Sequence, residues 1–328
     1  MTNDPTAIPH RTTPRLVERP WGGRRLGDFV DTPLPGPGPF GEAWLAGPDA
    51  VVAAGPAAGA TIGSLARRHG AAFVGTAPAD RFGDRMPLLV KLLDAAEPLS
   101  VQVHPDDAYA LREEAASGHL GKDEAWLVLA AQPGAVVSWG WRRDVDADEV
   151  RRAAEGGDLG ALLREEPVSP GDVIVNEAGV VHAVGAGVLL YEVQQASDLT
   201  YRLYDYGRLG LDGRPRPLHV DAALAVARLT PGDRPAPPAR ALAPGRTRLA
   251  HTRSFVLERW EVGGDAPAQQ DWTVEERSLE VWTVLSGSAE LVAGGVTLEL
   301  ATGGTAVVPA GVGPAGWRGA AVLARSTA

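Results

Sequence analysis

The 328-residue chain contains no cysteine, and that absence removes disulfides, thiolate zinc sites and cysteine nucleophiles together. No apolar run approaches the roughly 18 residues of a membrane span. The opening Met1-Thr2-Asn3-Asp4-Pro5 lacks the basic-then-apolar pattern of a secretion signal, so a soluble, cytoplasmic protein without a membrane partner is expected. Positive charge is also scarce: the formal net charge of -10 argues against nucleic acid as the main partner. Lysine is nearly absent, with only Lys91 and Lys122 among 31 basic residues. A lysine that persists in so arginine-rich a chain is a chance survivor, or sits where a planar, bulky guanidinium cannot serve.

Apolar residues make up 45% of the chain, ample for a core, and its length suits two domains. Gly 40 and Pro 27 favour a turn-rich, mainly β protein. Leu99 to His104 alternates, with Leu99, Val101 and Val103 on one face and Ser100, Gln102 and His104 on the other. Asp106 to Ala116 predicts a helix ended by Gly118, and Asp146 to Arg164 a helical hairpin broken at Gly156-Gly157. Strands return over 173–175, 180–184, 188–194 and 200–204. A catalytic unit over 1–229 is therefore expected, carrying a helical insertion at about 105–166. The Pro, Ala and Arg of 230–248 suggest a linker. Strands over 255–262, 279–285, 289–292, 296–300 and 305–308 then predict a second β unit at 249–328.

Strand alternation places Gln102 beside His104, and Lys122 beside Glu124. The spacing Gly171-x5-Glu177-x-Gly179-x-x-His182 resembles the second half of the cupin motif, with Glu177 where proline is usual. Gln102-x-His104 followed by Glu124 resembles the first half. Such a barrel would gather Gln102, His104, Glu124 and His182 around one divalent metal. Two imidazoles, a carboxylate and an amide oxygen suit Zn2+, and Fe2+ or Mn2+ would also fit. Ordinary hydrogen-bonded barrel histidines are the alternative.

The stretches Leu99–Pro105, Gly121–Trp126 and Thr200–Tyr206 together resemble type I phosphomannose isomerases. Gly41–Trp44, Pro87–Asp94 and Glu192–Gln195 fit the same family, in order over 20–208, and the length is similar to its short bacterial form. The resemblance implies two cupin-like, jelly-roll β-barrels in a mainly β fold. It also implies a zinc enzyme interconverting mannose 6-phosphate and fructose 6-phosphate, so the partner is a small sugar phosphate. Gln102, His104, Glu124 and His182 match the family's zinc ligands, Arg202 its active-site arginine and Lys122 its active-site lysine. The oligomeric state is left open.

Aldose–ketose isomerisation moves a proton between C2 and C1 through an enediolate. Glu192, on the face of Leu190 and Gln194, is the candidate base; its alternative is to orient His182 or Arg202. Arg202 needs an anion, either substrate or Asp205. Lys122 faces substrate or pairs with Glu124, and Lys91 is expected to reach a barrel carboxylate in a structural role. Ser100, Ser197 and Asp198 are further candidates near phosphate. Asp123, where the family has Thr or Pro, adds a negative charge beside the metal strand. Asn176-Glu177 and Val180 also depart from the pattern. Residues 252–328 hold no histidine, so the second unit is expected to be metal-free and structural. The competing readings are a metal-dependent cupin enzyme for another phosphorylated or phosphonate substrate, and a non-catalytic sugar-binding cupin.

Overall fold

A computed structural model describes residues 4–232 and 238–328 and shows a mainly β protein, as expected. Its central layer is a six-stranded sheet in the order Val173–Asn176, Glu124–Ala131, Val188–Gln195, Leu88–Ala95, Arg15–Gly23, Phe40–Ala46. Strands Leu88–Ala95 and Val188–Gln195 are buried at every position, because both faces of this sheet are covered. Alternation divides their side chains. Leu88, Val90, Leu92, Tyr191 and Val193 join a core that continues into Phe255, Leu257, Val281 and Val307 of the C-terminal unit. Leu93, Trp126, Val128 and Leu190 face the other way, onto Val137, Trp139 and Val184 of a five-stranded sheet. That second sheet runs Tyr201–Tyr204, Val101–Val103, His182–Val184, Val136–Trp141, Leu163–Pro167.

The C-terminal unit is built on a ten-stranded sheet whose longest members are Glu280–Ala293 and Gly313–Thr327. Trp260, Trp272, Trp282 and Trp317 pack against one another inside it, at centroid distances from 4.8 to 5.5 Å, as core rather than as a sugar platform. The expected pair of strands at 279–285 and 289–292 is one strand. Gly287 lies within it near a register shift, at φ +84, where a Cβ would come 2.3 Å from the Ala320 carbonyl oxygen. Close approach of backbone, not a turn, is what this glycine serves.

Further differences bear on organisation. His10–Thr13, assigned above to the catalytic unit, pairs with Thr305–Val308 of the C-terminal sheet, so the chain starts in one unit's sheet and continues into the other's. Within the expected linker, 233–237 lies outside the described residues, while Arg240–Ala243 and Arg246–His251 form a hairpin of the C-terminal sheet. Helices Ile62–His69, Ala71–Val74 and Thr76–Phe82 were not anticipated. The insertion holds helices Asp107–Glu113 and Ala147–Gly156, capped by Asp106 and Asp146, with the expected strand Glu124–Ala131 between them and an unexpected one at Val136–Trp141. After Gly156 the expected second helix is a short 3-10 turn at Leu159–Leu162 followed by strand Leu163–Pro167.

Candidate active site

Strand register assembles the site. In the five-stranded sheet, Gln102 lies opposite His182 on one side and Arg202 on the other. In the six-stranded sheet, Glu124 lies opposite Asn176 and Gln194, and Glu192 opposite Lys91 and Trp126. The two sheets face each other, so polar rows from each meet across the interior.

His104, Glu124 and His182 converge there, all within 1% of complete burial. The Nε2 atom of His182 is 3.2 Å from Glu124 Oε1, and that of His104 is 3.4 Å from Oε2. Each Nδ1 is held by a backbone carbonyl, Leu199 at 2.8 Å and Val180 at 2.9 Å respectively for His104 and His182. A carbonyl accepts only, so Nδ1 carries the proton and the Nε2 lone pair faces the carboxylate. Burial, followed by the nearby Lys122 charge, pushes the His104 pKa down to about 3, leaving a neutral imidazole. Burial raises the Glu124 pKa, but Lys122, His182 and His104 outweigh it and hold the group well below its usual range. The Gln102 amide nitrogen lies 3.4 Å from His182 Nε2, and a half-turn of the amide brings its oxygen to that place. Two outward lone pairs, an ionised carboxylate and an amide oxygen are the donor set a divalent ion takes, and the residues fit one. Asn176 steadies the set, its amide donating to Glu124 Oε1 at 3.3 Å. Gly179, at φ +88, turns the chain into His182 while its N–H bonds to the His104 carbonyl at 2.9 Å.

Beside these residues opens a cleft of about 510 Å3, lined on one side by Gln102, Lys122, Glu192, Asp198 and Arg202. Arg202 does not pair with Asp205, which is taken bidentately by Arg216. The Arg202 guanidinium donates to the Pro217 carbonyl at 2.8 Å and keeps a buried Nε without a protein partner. Lys122 makes its alternative contact, with Nζ 2.8 Å from Glu124 Oε2 and 3.2 Å from His104 Nε2, yet also lines the cleft. Glu192 accepts from the Trp126 indole at 2.9 Å and lies 3.5 Å from Lys91 Nζ; its partners are not His182 or Arg202. Burial, then the charge of Glu124, raises the Glu192 pKa. Lys91 therefore does reach a barrel carboxylate, but it borders the cleft as well. Ser100 and Asp198 line the cleft, whereas the Ser197 hydroxyl is spent on the Leu120 carbonyl.

Sequence reasoning missed Arg19 and Glu42, which complete the cleft wall. Arg19 Nε donates to Glu42 Oε1 at 2.8 Å, and the Trp44 indole donates to Oε2 at 2.6 Å. The only signal was Glu42 inside Gly41–Trp44, a stretch that carries family likeness without declaring its chemistry. Arg19, Lys91, Lys122, Arg202 and Arg216 line the cleft beside an equal number of carboxylates, and four of the five are paired with acids, which leaves Arg202 as the cation with a buried donor unspent.

Residues 11–131 match the model of the phosphomannose isomerase type I catalytic domain. The chain is 34% identical over 308 residues to a probable mannose-6-phosphate isomerase of Bacillus subtilis, covering 92% of this chain and 93% of that protein. It is 37% identical over 264 residues to a mannose-6-phosphate isomerase of Streptococcus mutans, covering 78% and 79%. A crystal structure of mannose 6-phosphate isomerase from Bacillus subtilis superposes with a TM-score of 0.84 at 31% identity, covering 97% of this chain and 99% of that one.

Proposed function

The chain belongs to the type I phosphomannose isomerase family, and from that premise we propose that it interconverts mannose 6-phosphate and fructose 6-phosphate with a zinc ion held by Gln102, His104, Glu124 and His182. The observation that carries the reading is the convergence of two carbonyl-anchored imidazoles on one buried carboxylate, beside a cleft that Gln102, Lys122 and Arg202 line. Members of the family are metal-dependent, and the donor set here is of the matching kind. When bound, the ion supplies electrophilic stabilisation for negative charge on the sugar oxygens.

The chain's own groups do the rest. Arg202, with donors left unspent on protein, binds an anionic part of the substrate, phosphate or enediolate oxygen. Lys122, buried beside Glu124, presents a compact ammonium that neutralises oxygen charge. Glu192 takes the proton from one carbon and returns it to the other. A carboxyl whose pKa is raised by burial is a stronger base once ionised, and the Trp126 indole fixes one oxygen so that the other faces the cleft. Lys91, 3.5 Å from that carboxylate, favours its ionised form between turnovers.

The test is a coupled assay on protein loaded with zinc, supplied with mannose 6-phosphate, with and without chelator. Chelator-sensitive formation of fructose 6-phosphate is expected. A folded, zinc-bearing protein that turns over no mannose 6-phosphate refutes the substrate assignment. Full activity in protein stripped of metal refutes the ligand set.

A further inference from the structure

Asp123 stands between Lys122 and Glu124, and alternation sends its side chain to the opposite face of the sheet, toward the C-terminal unit. It is 1% exposed, and every group around its carboxylate is a donor. Oδ1 accepts from the Ala178 N–H at 2.9 Å. Oδ2 accepts from the Ser254 hydroxyl at 2.7 Å and from Arg253 Nε at 3.1 Å. Its backbone is fixed too: the N–H donates to the Gln195 side chain at 2.9 Å, and the carbonyl accepts from the Gln195 N–H at 3.1 Å.

Ser254 and Arg253 occupy the tip of a hairpin between strands Arg246–His251 and Val256–Val262 of the C-terminal unit. That tip is itself rigid, because the Thr252 hydroxyl accepts from the N–H groups of both Ser254 and Phe255, at 3.0 and 3.1 Å. Arg81 clasps it from outside, bonding to the Arg253 carbonyl and to the Ser254 hydroxyl. Ala178, on the other carboxylate oxygen, lies in the loop that delivers His182. One carboxylate thus ties the strand carrying Glu124, the loop carrying His182 and the hairpin tip of the second unit.

We propose that Asp123 is a positioning residue, and that the hairpin tip Thr252–Phe255 of the C-terminal unit sets the geometry of the metal ligands through it. The C-terminal unit then acts as more than a buttress: it supplies an outer support of the metal centre although it contributes no ligand. Asp123 adds no negative charge to the site, since its carboxylate is turned away and engaged by Arg253. The inference rests on reading Gln102, His104, Glu124 and His182 as the ligands. Supporting groups of this kind change metal affinity by about 10- to 100-fold when removed.

The experiment titrates metal-stripped wild type and the variants Asp123→Asn, Ser254→Ala and Arg253→Ala with Co2+, following visible absorption in competition with a chelator. It is run well below the unfolding midpoint of each variant. Asp123→Asn is expected to weaken Co2+ binding roughly tenfold or more, and Ser254→Ala and Arg253→Ala by smaller factors in the same direction. Should Asp123→Asn fail to fold, the other two, altered on the far side of the contact, carry the test alone. Folded variants that bind Co2+ within twofold of wild type, whatever their unfolding midpoints, overturn the proposal and leave an interface strut. A wild type that binds no Co2+ overturns the ligand set and this inference with it; normal wild-type binding with unaffected variants overturns this inference alone.

Discussion

Replacing Glu42 by Gln separates what the cleft's charges do for folding from what they do for substrate. Glu42 is 8% exposed, and burial, the largest influence, raises its pKa. The charges of Lys91 and Arg19 together with the Arg19 and Trp44 hydrogen bonds overcome burial and hold the pKa at about 2, against an ordinary 4.5. A folded-state pKa below the unfolded one means stability that is present above pH 4.5 and lost as pH falls toward 2. At about 1.4 kcal/mol per pH unit, the ionised group contributes at most about 3 kcal/mol near pH 7. The same relation puts the loss between pH 7 and pH 4 at about 1 kcal/mol. Urea unfolding of the metal-stripped protein, wild type and Glu42→Gln, checks this at a series of pH values. The variant is expected to be less stable at neutral pH, and the gap between the two proteins to narrow as acid is added. A gap that stays constant from pH 7 to pH 3.5, or widens in acid, refutes the charge argument. The introduced amide would then simply be a poor packing replacement.

Three further outcomes follow from the same geometry. His182→Ala removes an imidazole whose Nε2 is 3.2 Å from Glu124, and is expected to lose metal and turnover together; an active variant with a full metal complement sinks its assignment as a ligand. Arg202→Ala is expected to keep its metal content while kcat/KM falls by about 100-fold or more, since charged donors to an anion are removed and no metal ligand is touched. Near-normal kinetics would make Arg202 a structural residue that merely bonds to Pro217. Gly179→Ala forces a Cβ into a backbone at φ +88 and to 3.1 Å from the Val226 carbonyl oxygen, for a cost of about 1–3 kcal/mol in denaturant titration. An unchanged denaturation midpoint would show that the turn before His182 tolerates side chains.

The candidate site was legible because its members sit at local spacings. Gln102 and His104 are two apart across the end of Val101–Val103, Lys122 and Glu124 two apart at the start of Glu124–Ala131, and extended-chain periodicity puts each pair on one face. Gly179 before His182 marks a turn for a backbone reason that any sequence displays. Arg19, Glu42 and Asn176 carried no such local mark. Each joins the site through sheet pairing with strands far away in the chain, and single residues on lone strands are indistinguishable from surface charges until the strand order is known. The same limit hides the pairing of His10–Thr13 with the C-terminal sheet: four residues of ordinary strand pattern do not say which edge they will find.

Punctuation residues misled in the second unit for a related reason. No strand is expected beyond 305–308, yet Gly313, Pro314, Gly316 and Gly319 belong to Gly313–Thr327, which pairs with Val256–Val262, Gln269–Val274 and Glu280–Ala293. At Gly316 a Cβ would come 2.5 Å from the Asp271 carboxylate, and at Gly319 2.9 Å from the Ser288 carbonyl oxygen. Glycine in these strands is selected by crowding between neighbours, a tertiary requirement that imitates a local signal. Asp123 was misread in the same way. Beside Lys122 and Glu124 it looked like one more site charge, because the pattern reveals which face a residue takes but not what covers that face. Once the C-terminal hairpin is seen to lie there, the position has a reason to carry a carboxylate: it accepts from Ala178, Ser254 and Arg253 at once, more than the single hydroxyl oxygen of a threonine can serve.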